Sequence, residues 1–372
     1  MLGLAAAWDR PLLRGSIRLR DETFLHDNAD AGTESAGRVF ERSEAAPAHG
    51  GDLSAARKNF PAAPEPWLDL STGVNPHCYP FQIPPPESFA RLPDPAALAT
   101  LESAAAAAFG VERAVSVVAA PGTQAIINWL PHLLPARRVG LLGFTYFEHA
   151  RAWGRVGAQT SVVEDIDALE KFDVAIIVNP NNPDGRLVSL NRLRDLADRF
   201  YRSGQLLIVD EAFADFLGPS ACLAPHLPPS GAVVLRSFGK AFGLPGLRLG
   251  FAASAPDFAA KLRAALGCWP VSGAAVAIGT QALADAAWLG RMRKTLEEDA
   301  EKLDAILIEA GFTLTGGTPL FRLAEAADAQ RRFNQLGEAG ILARRFAERP
   351  RWLRFAIPGS DADRARLRAA LA

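Results

Sequence analysis

Residues Ser237 to Gly250 read Ser-Phe-Gly-Lys-Ala-Phe-Gly-Leu-Pro-Gly-Leu-Arg-Leu-Gly, which sets one lysine, Lys240, among small residues. The apolar run at 232–235 just before it reads as a buried strand. Gly239, Gly243 and Gly246 allow tight turns or close approach to a ligand. Pro245 stops any helix, and Arg248 is expected on the next strand. An amine leaving a buried strand is expected to have a lowered pKa, as Schiff-base chemistry requires. Ser237 and Arg248 flank it as a hydroxyl and a fixed cation, a pair suited to a phosphate. The bland alternative is an ordinary strand-loop-strand carrying one lysine.

The rest of the chain narrows the search for a reactive amine. Only Lys58, Lys171, Lys240, Lys261, Lys294 and Lys302 are present, and all but Lys240 fall in polar, amphipathic or charged stretches. With 372 residues, 49% of them hydrophobic, there is material for two domains with real cores. The net charge of −1 argues against capture of nucleic acid or an anionic membrane. Cys78, Cys222 and Cys268 are widely spaced and the six histidines lack ligand spacing, so no metal site and a reduced, cytoplasmic setting are expected. No apolar run is long enough to span a bilayer. Residues 1–7 meet Asp9 and Arg10 too early for a secretory signal.

Residues 1–45 lack periodicity and are expected to be a loosely ordered extension. In 46–86, Asp52 is placed to cap a short helix at 53–60, a strand follows at 67–70, and the Pro-rich run 80–86 is a connector. This segment is expected to contribute to a small domain and to the active site. From 87 to 262, short apolar strands alternate with helices, which indicates a large α/β domain with a mostly parallel sheet covered on both faces. Ligands of such sheets sit at the carboxyl ends of the strands. Gly122, Asn182, Asp210 and Lys240 all fall at strand ends or just beyond. From 263 to 372 the pattern is a smaller α+β domain, with a nearly continuous helix at 274–309 and strands at 312–315, 320–323, 341–343 and 352–357.

Gly122 and Thr123 open a helix, where free N–H groups and a hydroxyl suit a phosphate, although Pro-Gly-Thr alone often just caps a helix. Asp210 ends a buried strand and needs a cationic partner. Glu211 follows it, so a metal site competes with a protonated ring nitrogen. Asn182 lies in an Asn-Asn-Pro-Asp-Gly turn that turn chemistry alone could explain. Tyr146 starts a helix where its ring could stack on a planar ligand. Arg354 alternates with Leu353, Phe355 and Ile357 and so projects to the opposite face, toward a carboxylate. Arg344 and Arg345 are anion candidates or a solvated surface pair.

Together these parts resemble the fold-type I pyridoxal-phosphate enzymes, in the branch that holds histidinol-phosphate aminotransferases and threonine-phosphate decarboxylases. The resemblance runs from about His49 to Ile357. It implies an aspartate-aminotransferase-like fold, pyridoxal 5′-phosphate as cofactor and a homodimer with shared active sites. By it, Lys240 is the Schiff-base lysine, Asp210 pairs with the pyridine nitrogen, Asn182 bonds the ring 3-oxygen and Tyr146 stacks on the ring. Gly122, Thr123, Ser237 and Arg248 hold the cofactor phosphate, and Arg354 receives the substrate carboxylate. Phe213 and Leu92 stand where the branch usually has tyrosines. His49-Gly-Gly-Asp52 and Asp69-Leu-Ser-Thr-Gly-Val-Asn75-Pro76 resemble the decarboxylases in particular. That implies substrate contacts from His49 and Asn75, with Arg344 a candidate for the substrate phosphate. It also implies decarboxylation of O-phospho-L-threonine in cobalamin biosynthesis. The shared lysine motif leaves transamination of the histidinol-phosphate type open. A non-catalytic sensor fused to a DNA-binding module lacks room, and Gly243, Gly246 and Gly250 do not give the dinucleotide-binding spacing.

Overall fold

The structure, a computed structural model, describes residues 49–112 and 116–372. The extension expected over 1–45 lies outside the described residues, as does Val115, the expected start of a strand. Asp52 accepts the Ala55 N–H at 2.9 Å and so caps α1 (Leu53–Asn59). Two residues of β1 (Leu68–Asp69) then pair in parallel with β11 (Ile341–Leu342), which ties the start of the chain to its last third.

Seven strands form the large sheet: β2 (Val117–Ala120), β3 (Arg138–Leu142), β4 (Gln159–Val163), β5 (Val174–Val178), β6 (Leu206–Asp210), β7 (Ala232–Ser237) and β8 (Gly250–Ser254). Their order is β2-β8-β7-β6-β5-β3-β4. Only β8 runs against its neighbours. The central strands are apolar without alternation because both faces are covered. Side chains nevertheless split by the strand period of two. Val174, Ile176 and Ile208 join a core with Ile126, Leu130 and Trp153 of α4 (Thr123–Leu133) and α5 (Glu148–Arg155). Ala175, Ile177 and Val209 join another with Leu101 of α3 (Pro95–Phe109) and Leu196 and Phe200 of α6 (Leu190–Ser203).

This topology sends the carboxyl ends of β2, β3, β5, β6 and β7 to one edge. The reversed strand β8 starts at that edge, where Gly250 lies opposite both Ala120 and Ser237. A Cβ on Gly250 would stand 2.5 Å from the Thr123 backbone nitrogen, so glycine alone lets β8 meet the first turn of α4. Arg248, expected on the strand, instead precedes it. It has φ of 52° at the end of the 3-10 turn Pro245–Leu247, because the proline and glycine there bend the chain before pairing begins.

The expected long helix is two, α9 (Gly273–Leu283) and α10 (Ala286–Glu309). Asp285 accepts the Trp288 N–H at 2.8 Å and caps the second, which ends the first. A second, antiparallel sheet has the order β12-β13-β10-β9, from β9 (Thr313–Thr318), β10 (Phe321–Glu325), β12 (Arg344–Arg345) and β13 (Trp352–Ala356). The strand expected at 341–343 is therefore divided, its first residues pairing with β1 and the arginines after it with β13.

The turn after β5 meets the antiparallel sheet through backbone. Any Cβ on Gly316 would overlap the Asp184 carbonyl oxygen, and one on Gly185 would overlap that of Gly317. Gly316→Ala is therefore expected to lower the unfolding free energy by about 2 kcal/mol or more. A urea midpoint equal to wild type would contradict this close approach.

Candidate active site

A cavity of about 590 Å³ opens at the carboxyl edge of the large sheet. Lys240, Asp210, Thr123, Ser237, Tyr146 and Asn182 line it together with His49, Arg344 and Arg354. The chain thus brings these side chains from strand ends, helix starts and both sheets into one space.

Lys240 sits in the single turn α7 (Phe238–Ala241) that follows β7, with its amine 5.5 Å from the Phe213 ring centre. Burial, then the nearby Arg354 cation, lower its pKa to about 8. That corresponds to about 3 kcal/mol against the charged amine. Phe213 packs edge-on against Phe321, so this wall of the cavity is apolar.

Asp210 is buried and faces the cavity. Its Oδ2 lies 2.9 Å from His149 Nε2, and Oδ1 accepts the Ala212 N–H at 3.1 Å. His149 is fully buried, and its role was not evident from the sequence. The signal was its place three residues after Tyr146 at a helix start, which puts both side chains on one face. Glu211 turns the other way: it accepts from Arg236 at 3.1 Å and from the Leu223 N–H at 2.5 Å. The adjacent carboxylates therefore belong to separate networks and do not converge on one ion. Among the described residues no cluster of His, Cys, Asp and Glu could hold a metal ion, and no helix is long and apolar enough to cross a membrane.

The first turn of α4 has no side-chain cap, so its leading N–H groups stay available. Gly122 precedes it with φ of 82°, and a Cβ there would lie 2.8 Å from Arg248 Nη2. Ser237, likewise, makes no capping bond to α7. Donors placed so at a helix start can bind an anion. Tyr146 donates its hydroxyl to Gln124 Oε1 at 3.1 Å. Burial, then the Glu148 and Asp210 carboxylates, push its phenol up to about 12, so it stays neutral near pH 7.

Arg354 donates to Asn182 Oδ1 at 2.5 Å and to the Ser71 carbonyl at 3.0 Å. Both acceptors are neutral. Burial, then the neighbouring Arg344, lower its pKa to about 9, and burial also lowers that of Arg344. Asn75 does not line the cavity. Its amide nitrogen donates to Ala241 O at 2.8 Å and its oxygen accepts the His77 N–H at 2.8 Å. Its own N–H donates to Lys240 O at 2.9 Å, so it fastens the lysine turn from behind.

The family model for aminotransferase class I and II matches residues 84–371. The threonine-phosphate decarboxylase of Sinorhizobium sp is 42% identical over 87% of this chain and 97% of its own length. That of Pseudomonas aeruginosa is 38% identical over 87% and 96%. In fold, the chain is similar to histidinol-phosphate aminotransferase from Sinorhizobium meliloti, solved with pyridoxal-5′-phosphate. The TM-score is 0.71 at 20% identity, over 86% of this chain and 93% of that one.

The lowered pKa of Lys240 sets a pH expectation. Below about pH 8 the amine is protonated and unreactive; between there and 10.5 it is free while ordinary lysines remain charged. Labelling of the cofactor-free protein by trinitrobenzenesulfonate, followed by peptide mass spectrometry, should show Lys240 half-maximally reactive near pH 8. A midpoint shared with the surface lysines would exclude the buried amine described here.

Proposed function

The chain belongs to the aminotransferase class I and II family, and from that membership we propose that it is a pyridoxal-phosphate lyase that decarboxylates O-phospho-L-threonine to (R)-1-aminopropan-2-yl phosphate. Such a product serves cobalamin biosynthesis. The cofactor fits the residues present. A Cβ at Gly122 would fill the cradle between α4 and Arg248, while Thr123 and Ser237 add hydroxyls beside it. Lys240 offers an amine of lowered pKa for covalent attachment. When bound, pyridoxal 5′-phosphate accepts the electron pair left as the bond from Cα to the carboxylate breaks.

The protein's own residues do the rest. Asp210, held by His149 and the Ala212 N–H, presents a buried carboxylate that would hold a proton on the ring nitrogen of the bound cofactor. Asn182 holds its place through Arg354, and Tyr146 offers its ring face, fixed by Gln124. Arg354 and Arg344 bind the anionic groups of the substrate, with His49 beside them. After CO2 leaves, the Lys240 amine, protonated from solvent, can deliver that proton to Cα. Asn75 keeps the turn that carries this lysine in place.

The observation that carries the reading is the pair Arg344 and Arg354 in one cavity with Lys240 and Asp210. Two buried cations in one cavity, one of them further lowered by the other, suit a substrate with two anionic groups, carboxylate and phosphate. The segment before α3 leaves Ile83, Phe89 and Leu92 well exposed, which supports a homodimer as the working form. A cytoplasmic location is part of the same proposal and accords with three free cysteines.

Incubation of the holoenzyme with O-phospho-L-threonine should release CO2, while histidinol phosphate with 2-oxoglutarate should yield no glutamate. Glutamate without CO2 would replace this function with amino transfer. Lys240→Ala should cut CO2 release about a thousandfold or more and abolish borohydride trapping of the cofactor. Trapping that persists would move the attachment to another lysine.

A further inference from the structure

Glu148 takes no part in the chemistry above, yet it is only 5% exposed and gathers donors from three stretches. Its Oε1 lies 3.4 Å from His49 Nε2 and accepts from Arg151 Nη1 at 3.2 Å. Its Oε2 accepts from Gln124 Nε2 at 3.1 Å, and Gln124 in turn accepts the Tyr146 hydroxyl. It also occupies the first turn of α5, where free N–H groups favour an anion.

A buried carboxylate with this many partners could serve stability alone. The partners argue otherwise, because two of the side chains it reaches line the cavity: His49 directly, and Tyr146 through Gln124. His49 would be loosely held without it. Its side chain is 50% exposed, and among the described residues its ring also meets the tilted ring of Phe147, with centres 5.2 Å apart. The backbone just after it is fixed, since Gly51 N–H donates to Ser71 Oγ at 2.7 Å and a Cβ on Gly50 would overlap the Ser71 carbonyl. That carbonyl also accepts from Arg354. The histidine therefore enters the cavity from a pinned backbone, and Glu148 decides where its imidazole points.

We propose that Glu148 is a positioning residue, which aims His49 at the phosphate of the substrate and, through Gln124, holds the Tyr146 ring. This rests on the reading of the substrate as a phosphorylated amino acid. Arg151, on the same helix, offsets the carboxylate charge beside His49.

The test is a double-mutant cycle on the holoenzyme with Glu148→Gln, His49→Ala and the pair. The probe is 3-phosphonooxybutanoate, which keeps the carboxylate and phosphate of the substrate but has no amine and cannot react. By calorimetry each single variant should bind it about tenfold more weakly, and the double variant no more weakly than the worse single one. KM for O-phospho-L-threonine should rise in step, with little of the effect in kcat, and the visible band of the bound cofactor should keep its position. Glu148→Asp, which keeps the charge but draws it back by one methylene, is a second variant and should fall between wild type and Glu148→Gln.

Additive losses, unchanged binding in Glu148→Gln, or a fall in kcat at constant KM would overturn the proposal, as would wild type that does not bind the probe. Absence of CO2 from wild type would defeat the proposed reaction instead, and the calorimetric cycle would still decide the role of Glu148.

Discussion

The Arg354 guanidinium joins three parts of the chain. It reaches Asn182, 172 residues away, and Ser71, 283 residues away, and it stands on β13 of the antiparallel sheet. Two bonds from one planar group fix direction as well as distance. They hold only if the Asn182 turn lies against the small sheet, and that contact requires Gly185 and Gly316, where side chains have no room. They also require Ser71 to follow β1, which is positioned by its parallel pairing with β11. The sheet architecture thus converges on a hydrogen-bonded arginine, and the cavity forms around it.

The sheet edge is legible in the sequence because the central strands are short apolar runs that end at or soon before a glycine, an asparagine or an acid. Lys240, Asp210, Asn182 and Gly122 could be placed at strand ends from that punctuation alone, and the resemblance then supplied a chemistry for them. What stayed hidden depends on contacts between distant stretches. His149 reads as one more polar residue of a helix until the fold sets it 2.9 Å from Asp210. Asn75 was marked for the substrate by resemblance, but its amide is taken up by backbone groups behind Lys240. Arg248 is expected on the next strand, whereas Pro245 and Gly246 first bend the chain into a 3-10 turn and pairing begins at Gly250. The break in the long helix was written in Asp285, whose capping side chain is a local signal outweighed by the helical pattern on either side.

Glu211 shows how a neighbouring pair of acids divides its labour. In a strand, consecutive side chains point to opposite faces. Asp210 is the last residue of β6 and takes the cavity side; Glu211, the next residue, is aimed at Arg236 on β7. Arg236 also pairs with Asp215 at 2.5 Å and lies 4.6 Å from the centre of the Phe109 ring. This network closes the stretch after Asp210 against the sheet. Removing Arg236 would leave two buried carboxylates without their shared cation, a loss of about 3–5 kcal/mol.

Arg236 and Arg354 are the same residue type at nearly equal burial, 5% and 6% exposed. Their electrostatics are opposite. Burial disfavours the charge on Arg236, but Asp215 and Glu211 outweigh it and raise its pKa. Burial disfavours the charge on Arg354 too, and there the next influence is a second cation, Arg344, with only neutral oxygens bonded to it. Structural stability is served by the first arrangement and harmed by the second. A fold that neutralises one buried arginine so completely has no stability reason to leave another in this state. The charge kept on Arg354 is the electrostatic feature on which the proposed binding of an anionic substrate group rests.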